Sequence, residues 1–328
     1  MSRTSNACRL LTLVALVALV AFLGTNEAAA EPIVVTATPV QLDRDDPTVT
    51  RLGPLRFVGG FALNARDQRF GGLSGLVVEG DKLTAVTDRG FWFRARLQLN
   101  DDGNFTGLDD SELAPILSSK GEPLKIERGE HDAEALEKWN SAYAVAFERF
   151  HRIGLYDPAA GDQGRPDYVR DIPGLARSPA NGGIEALAGL EDGRLLALTE
   201  DYAPDGNLVG WLIDGDRRDP LTYPKTNWKP TDAAFHPKIG LLVLERRLSA
   251  LIGFSARIRL IDPATVVPGG EIAGDIVARF AGSIISDNFE GLAVSEGRNG
   301  RPLVWVVSDD NFSFFQQTLL LAFVWDPA

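Results

Sequence analysis

From about residue 70 onward the chain alternates short apolar runs with turn residues, a pattern of strands rather than of long amphipathic helices. Five segments share one internal order. Each opens with an apolar strand that carries a small or acidic residue near its start. A turn follows, then a second apolar strand ending in Thr, Ser or Glu plus a charged residue, then a third strand. The copies are Gly71–Leu76 with Leu83–Arg89, Asp132–Leu136 with Tyr143–Arg149, Gly182–Ala188 with Leu195–Asp201, Thr231–Ala234 with Leu241–Arg246, and Asn288–Ala293 with Leu303–Asp310.

Ser74, Glu134, Glu185, Asp232 and Glu290 are taken as equivalent anchors. Their spacings are 60, 51, 47 and 58 residues, and the distances from anchor to second-strand acid are 14, 14, 15, 13 and 19. A period near 50 suits four strands plus connections, one blade of a β-propeller. Asp192-Gly193, Gly80-Asp81 and Asn299-Gly300 supply turns between apolar runs. The third strands are expected at Phe91–Leu99, Arg152–Tyr156, Val209–Ile213, Ile258–Ile261 and Leu319–Val324, and one short helix within 107–120. The fifth copy ends after three strands, so residues 54–62 are expected to complete that blade and cover its edge. The fold class is therefore all-β, a propeller of five visible blades. A sixth is conceivable from residues 33–50 together with irregular insertions.

Residues 1–30 read as a secretory leader: Arg3 and Arg9, an apolar stretch Leu10–Leu23, and a small-residue cleavage site at Ala28-Ala29-Ala30. The expected mature domain is 31–328, periplasmic or secreted, with no membrane-spanning segment once the leader is removed. The single cysteine, Cys8, lies in the leader, leaving no disulfide, thiol nucleophile or Cys-ligated metal. The formal charge is −12, and loss of Arg3, Arg9 and Glu27 makes it −13. Such a chain repels nucleic acid and anionic surfaces and suits cations or cationic partners.

Several segments together resemble the phytase-like family, whose description is an esterase-like activity of phytase. They are Phe70–Leu76, Asn181–Leu187, Val243–Arg246, Asp287–Leu292 and Val307–Phe312, and the resemblance spans roughly residues 50–325. It implies an exported bacterial propeller acting hydrolytically on ester or phosphoester bonds of a small-molecule substrate. The alternative is a non-catalytic propeller that binds a ligand or protein partner, since fold does not settle function.

First strands of a propeller line its central channel, which would gather Glu134, Glu185, Asp232 and Glu290 around one axis with Ser74 as the uncharged member. Asp88, Glu148, Glu200, Glu245, Asp309 and Asp310 recur at second-strand ends, where they crown one mouth. Two readings stay open. Crowded carboxylates raise one another's pKa and call for hard cations such as calcium, with Glu134, Glu185, Asp232, Glu290, Asp88 and Asp309 as ligands. Alternatively they pair with arginines, since Arg89, Arg149 and Arg246 directly follow three of them. Glu185, Glu290 and His131, which stands beside Asp132 and Glu134, are the candidate catalytic groups. Ser74 is no nucleophile elbow, because Leu76 occupies the last glycine position of G-x-S-x-G. Trp92, Trp211 and Trp228 either line a mouth or fill space between blades.

Overall fold

The structure is a computed structural model that describes residues 29–327. The leader reading covers residues 1–30, of which residues 1–28, Cys8 among them, lie outside the described ones. The N-terminal region supplies β1 (Glu31–Pro32), β2 (Val35–Pro39), β3 (Arg51–Leu52) and β4 (Leu55–Ala65). Blade one is β5 (Leu73–Glu79), β6 (Lys82–Thr87), β7 (Phe91–Leu99) and β8 (Phe105–Pro115). Blade two is β9 (Ala133–Trp139), β10 (Ala142–Phe147), β11 (Arg152–Tyr156) and β12 (Asp167–Val169). Blade three is β13 (Ile184–Gly189), β14 (Leu195–Thr199), β15 (Leu208–Asp214) and β16 (Arg217–Tyr223). Blade four is β17 (Lys229–His236), β18 (Gly240–Ser249), β19 (Gly253–Ile261) and β20 (Asp275–Phe280). Blade five is β21 (Phe289–Glu296), β22 (Pro302–Ser308) and β23 (Thr318–Trp325).

Each sheet is antiparallel in chain order. The first strands are neighbours in a closed cycle, β5 beside β9, β9 beside β13, β13 beside β17, β17 beside β21 and β21 beside β5. The protein is therefore a five-bladed β-propeller. Blade five is completed by β4, antiparallel to β23 with Leu319 opposite Ala62, as the missing fourth strand led one to expect. Residues 35–39 add β2 outside β4 instead of seeding a sixth blade, and β1 extends blade one beyond β8.

Five apolar clusters fill the five seams between neighbouring sheets. In the seam between blades four and five, Phe280 meets Phe289 at 5.1 Å and Phe323 at 5.9 Å between ring centroids. Phe105 lies edge-on to Phe61 and Trp305 where blade five meets blade one. Such contacts stabilise by area burial and by ring geometry, about 0.5–1.5 kcal/mol per pair beyond the area. Trp92 and Trp211 are buried in these seams. Trp228 is held between the guanidiniums of Arg247 and Arg257, each 4.5 Å from its ring.

No helix forms in 107–120; most of that stretch is β8. Its register against β7 slips between Arg94 and Arg96, and Asp110 takes a positive φ of 48° there. The bulge shifts the two-residue alternation in mid-strand, which disguised a strand as a helical pattern. Among the described residues no helix is long and apolar enough to cross a membrane.

Candidate functional site

First strands begin, and second strands end, at the same mouth of the channel, which brings anchors and second-strand acids together. In four blades the anchor sits at a register irregularity. Leu73 pairs with Thr87 but Gly75 with Val86, and the same skip isolates Glu134, Glu185 and Glu290. A bulge of this kind takes one residue out of the ladder and re-aims its side chain. Glu134, Glu185 and Glu290 consequently act on one another: Glu290 raises the pKa of both the others.

Blade four departs from the sequence alignment by one residue. Its skip lies between Pro230 and Asp232, so the equivalent anchor is Thr231, whose hydroxyl donates to the Phe289 carbonyl at 3.0 Å. Asp232 falls back into the ladder opposite Leu244 and accepts from the backbone N–H groups of Ala233 (2.8 Å) and Leu292 (2.7 Å). It fastens β17 to β21 and stands outside the anchor ring. The second strand is offset in the same way. Lys229 lies opposite Arg246, so Arg246 occupies the position that Glu245 was assigned. Because successive strand residues face opposite sides, Glu245 points into the blade. There it takes hydrogen bonds from the Tyr223 hydroxyl (3.0 Å) and from Arg257 and Arg259.

The corrected crown is Asp88, Glu148, Glu200, Arg246 and Asp309, four acids and one cation. At four of the five seams a crown residue, or its neighbour, reaches a group on the next blade. Glu148 accepts from the N–H groups of Gly182 and Gly183. Glu200 takes Lys229 at 2.9 Å, and Arg246 donates to Asn288 Oδ1 at 2.8 Å. Asp310, next to Asp309, accepts from the N–H of Gly72 at 3.0 Å. At the remaining seam, between blades one and two, no such bond from Asp88 to the next blade is found among the described residues. Asp88 feels the negative charge of Asp309 and then of Asp132, Arg149 binds Asp132, and Asp88 Oδ1 is buried with no hydrogen-bond partner. Asp88 lies over Gly72, where any Cβ would fall on its carboxylate and where φ is +62°.

Burial together with neighbouring charge drives these acids upward. Asp88 is pushed to about 8, first by desolvation and then by Asp309 and Asp132. Glu290 also reaches about 8, by burial, although Arg246 at 3.3 Å pulls against it. Glu148 reaches about 7, where burial outweighs its two amide donors, and Asp309 about 6 for the same kind of reason. Glu134 and Glu185 are held well above the ordinary carboxylate range by burial and by the other acids, and Glu185 Oε2 has no partner. Arg246 is the counter-charge inside this group, 2.9 Å from Glu200.

The three histidines separate. His131 is buried, its ring hydrogen-bonded to the Lys125 backbone and its pKa lowered first by desolvation. It thus turns toward the β8–β9 connection. His236 lies at the opposite end of β17, near Glu296. His151, given no role in the sequence reading, comes to the mouth: a Cβ on Gly183 would fall on its imidazole, close to Glu148 Oε1, and its Nδ1 is buried without a partner. Sequence reasoning named Arg246 as an arginine that could pair with the ring acids, as it does with Glu200 and Glu290, but missed that it takes a crown position itself. Anchoring blade four on Thr231 would have found it, since Thr231 to Arg246 is 15 positions, as from Glu185 to Glu200.

A ring of four acids and one arginine at the mouth of a five-bladed channel defines a class: propellers with a polar site on their axis. Residues 68–312 match the phytase-like family, described as "esterase-like activity of phytase". The chain belongs to that family. No curated protein matches it. Among solved structures, an endo-arabinase from Bacteroides thetaiotaomicron is similar at 11% identity, covering 78% of this chain and 95% of that one, with a TM-score of 0.48. An α-L-arabinofuranosidase from Podospora anserina is similar at 10% identity, covering 80% and 94%, with a TM-score of 0.46. A protein provisionally described as a gluconolactonase is similar at 12% identity, covering 89% and 94%, with a TM-score of 0.45.

Among the described residues, no three Asp, Glu or His groups already converge as ligands of one metal ion. The donor chemistry nevertheless suits a hard cation. Two carboxylate oxygens, Asp88 Oδ1 and Glu185 Oε2, are buried and unpartnered, and hard cations take oxygen ligands of this kind.

Proposed function

We propose that the chain is a hydrolase of ester or phosphoester bonds that works at the acidic mouth, with a divalent cation, calcium in the first instance, completing the site. The observation that carries this reading is the Asp88 carboxylate, whose Oδ1 is buried without a partner within the negative field of Asp309 and Asp132. Asp88, Glu134, Asp309 and Glu185 would hold the cation, leaving Glu290 outside its ligand set to carry a proton. When bound, the cation would offset their repulsion and draw electrons from the substrate oxygen. Asp232 is not proposed as a ligand, because backbone amides already occupy its carboxylate.

The chain's own groups supply the proton chemistry. Glu290, pushed to about 8, holds its proton at neutral pH and can deliver it to a leaving oxygen. Glu148, pushed to about 7, stands beside His151 and can take a proton from water. Arg246 fixes a positive charge against the developing oxyanion.

The test measures phosphate release from phosphomonoesters, phytate among them, and alcohol release from carboxylic esters, with calcium and with chelator. Turnover that Glu185→Gln and Glu290→Gln abolish supports the reading. Absence of turnover on every ester, while ligands still bind at the mouth, replaces it with that of a binding propeller.

A further inference from the structure

Beside the acidic mouth lies a cavity of opposite character. It has a volume of about 370 Å³ and sits between the β8–β9 connection and the outer part of blade two. Lys120, Lys125, Arg128 and Arg152 line it, against only two acids, Glu122 and Glu130, with Phe150 and Tyr168 as its aromatic walls. In a chain of net charge −12, four cations around one hollow run against the general trend of the surface.

Arg152 is the informative member. Its guanidinium donates to the Phe150 carbonyl at 2.8 Å and to the Glu130 carbonyl at 2.5 Å, and lies over the Phe147 ring at 3.9 Å. Among the described residues it forms no ion pair with a carboxylate. Drawing a guanidinium partly out of water without a paired carboxylate is costly, so the placement of half-buried Arg152 suits an anion from outside. Burial accordingly pushes its pKa down. Tyr168 takes a hydrogen bond from the guanidinium, and of the two lining acids Glu130 acts on it only as the weakest of its electrostatic neighbours, lying 3.9 Å from Arg128, while Glu122 lies 3.7 Å from Lys125. Lys120 likewise has no carboxylate within ion-pair distance among the described residues. Phe150 is 64% exposed, its ring 5.8 Å from Arg152, an apolar plate left open to solvent at the rim.

We infer that this cavity binds a small organic oxyanion, a phosphate or carboxylate carried on a flat apolar body. The oxyanion would be met by Arg152 and the lysines, the apolar body by Phe150. Arginine suits the planar fork of either oxyanion, and the volume falls within the usual range for small-molecule sites. The site goes beyond the hydrolytic reading and needs no cation at the mouth.

The experiment measures calorimetric binding of phenyl phosphate and benzoate to the whole protein in chelator, with inorganic phosphate and phenol as the charge-only and ring-only probes. At least one of the two aromatic anions should bind, and more tightly than either control. The double variant Lys120→Glu/Arg128→Glu, both at exposed positions, should weaken that binding about tenfold or more. Arg152→Gln should weaken it further, and Glu185→Gln at the mouth should leave it unchanged. Binding that survives charge reversal, or that Glu185→Gln removes, overturns the assignment, as does equal affinity for phenol. Because chelator is present throughout, failure here is separable from failure of the metal-assisted reading.

Discussion

The Arg246 guanidinium lies 2.9 Å from the Glu200 carboxylate, across the seam between the third and fourth blades. It also reaches Glu290 at 3.3 Å and the Asn288 side chain at 2.8 Å. One cation thus ties the crown to the anchor ring, and it stands where the other four blades carry an acid.

Arg246→Gln is expected to destabilise the fold by roughly 3–5 kcal/mol at neutral pH, the usual cost of stranding buried charge partners. The loss should grow from pH 6 to pH 9, as Glu290, pushed to about 8, gives up its proton and comes to depend on the guanidinium. Urea unfolding at both pH values measures it, and an equal loss at the two would show that Arg246 acts through shape alone.

The raised acids set the direction of the pH response. Asp88 and Glu290, both near 8 when folded, hold protons that the unfolded chain releases around pH 4. Between those limits the folded state binds more protons, so stability falls as pH rises and levels off above about pH 8. Thermal midpoints in chelator should therefore drop from pH 5 to pH 8. Calcium should restore them at the upper end by mass action, and its binding there should release protons.

Asp88→Asn mimics the protonated carboxyl. At pH 8 without calcium it should stabilise by roughly 1–2 kcal/mol, because each unit of pKa displacement carries about 1.4 kcal/mol and solvent access relaxes part of it. It should also blunt the calcium response. A variant less stable than wild type at pH 8, with calcium response intact, would exclude Asp88 from the cation site.

Asp232→Asn tests the corrected register. It puts amide hydrogens where one of the two backbone donors points, so it should cost roughly 1–3 kcal/mol and leave the calcium-induced shift in thermal midpoint unchanged. Loss of that shift would return Asp232 to the ring.

Much of this architecture could be read from the chain, and the exceptions share one cause. Repeating apolar runs and turn residues marked the five blades, and the missing fourth strand of the last blade pointed to β4. A bulge, however, changes the phase of a strand without any mark in composition. Asp232 and Glu245 were therefore aligned with the anchors and acids they adjoin, while Thr231 and Arg246 hold those places. The β8 bulge at Asp110 likewise made a strand read as a helix. His151 escaped because its proximity to Glu148 arises from the turn before β11 and the seam with blade three, and neither leaves a spacing rule.

The pairing of β4 with β23 also orders events during synthesis. β4 is among the first strands made and β23 the last, so the fifth blade cannot form while the ribosome is still within the fourth. Until then the crown lacks Asp309, the anchor ring lacks Glu290, and Arg246 has only one of its two acid partners. The chain therefore carries its acidic ring through most of its production as an open arc, and the mouth closes late.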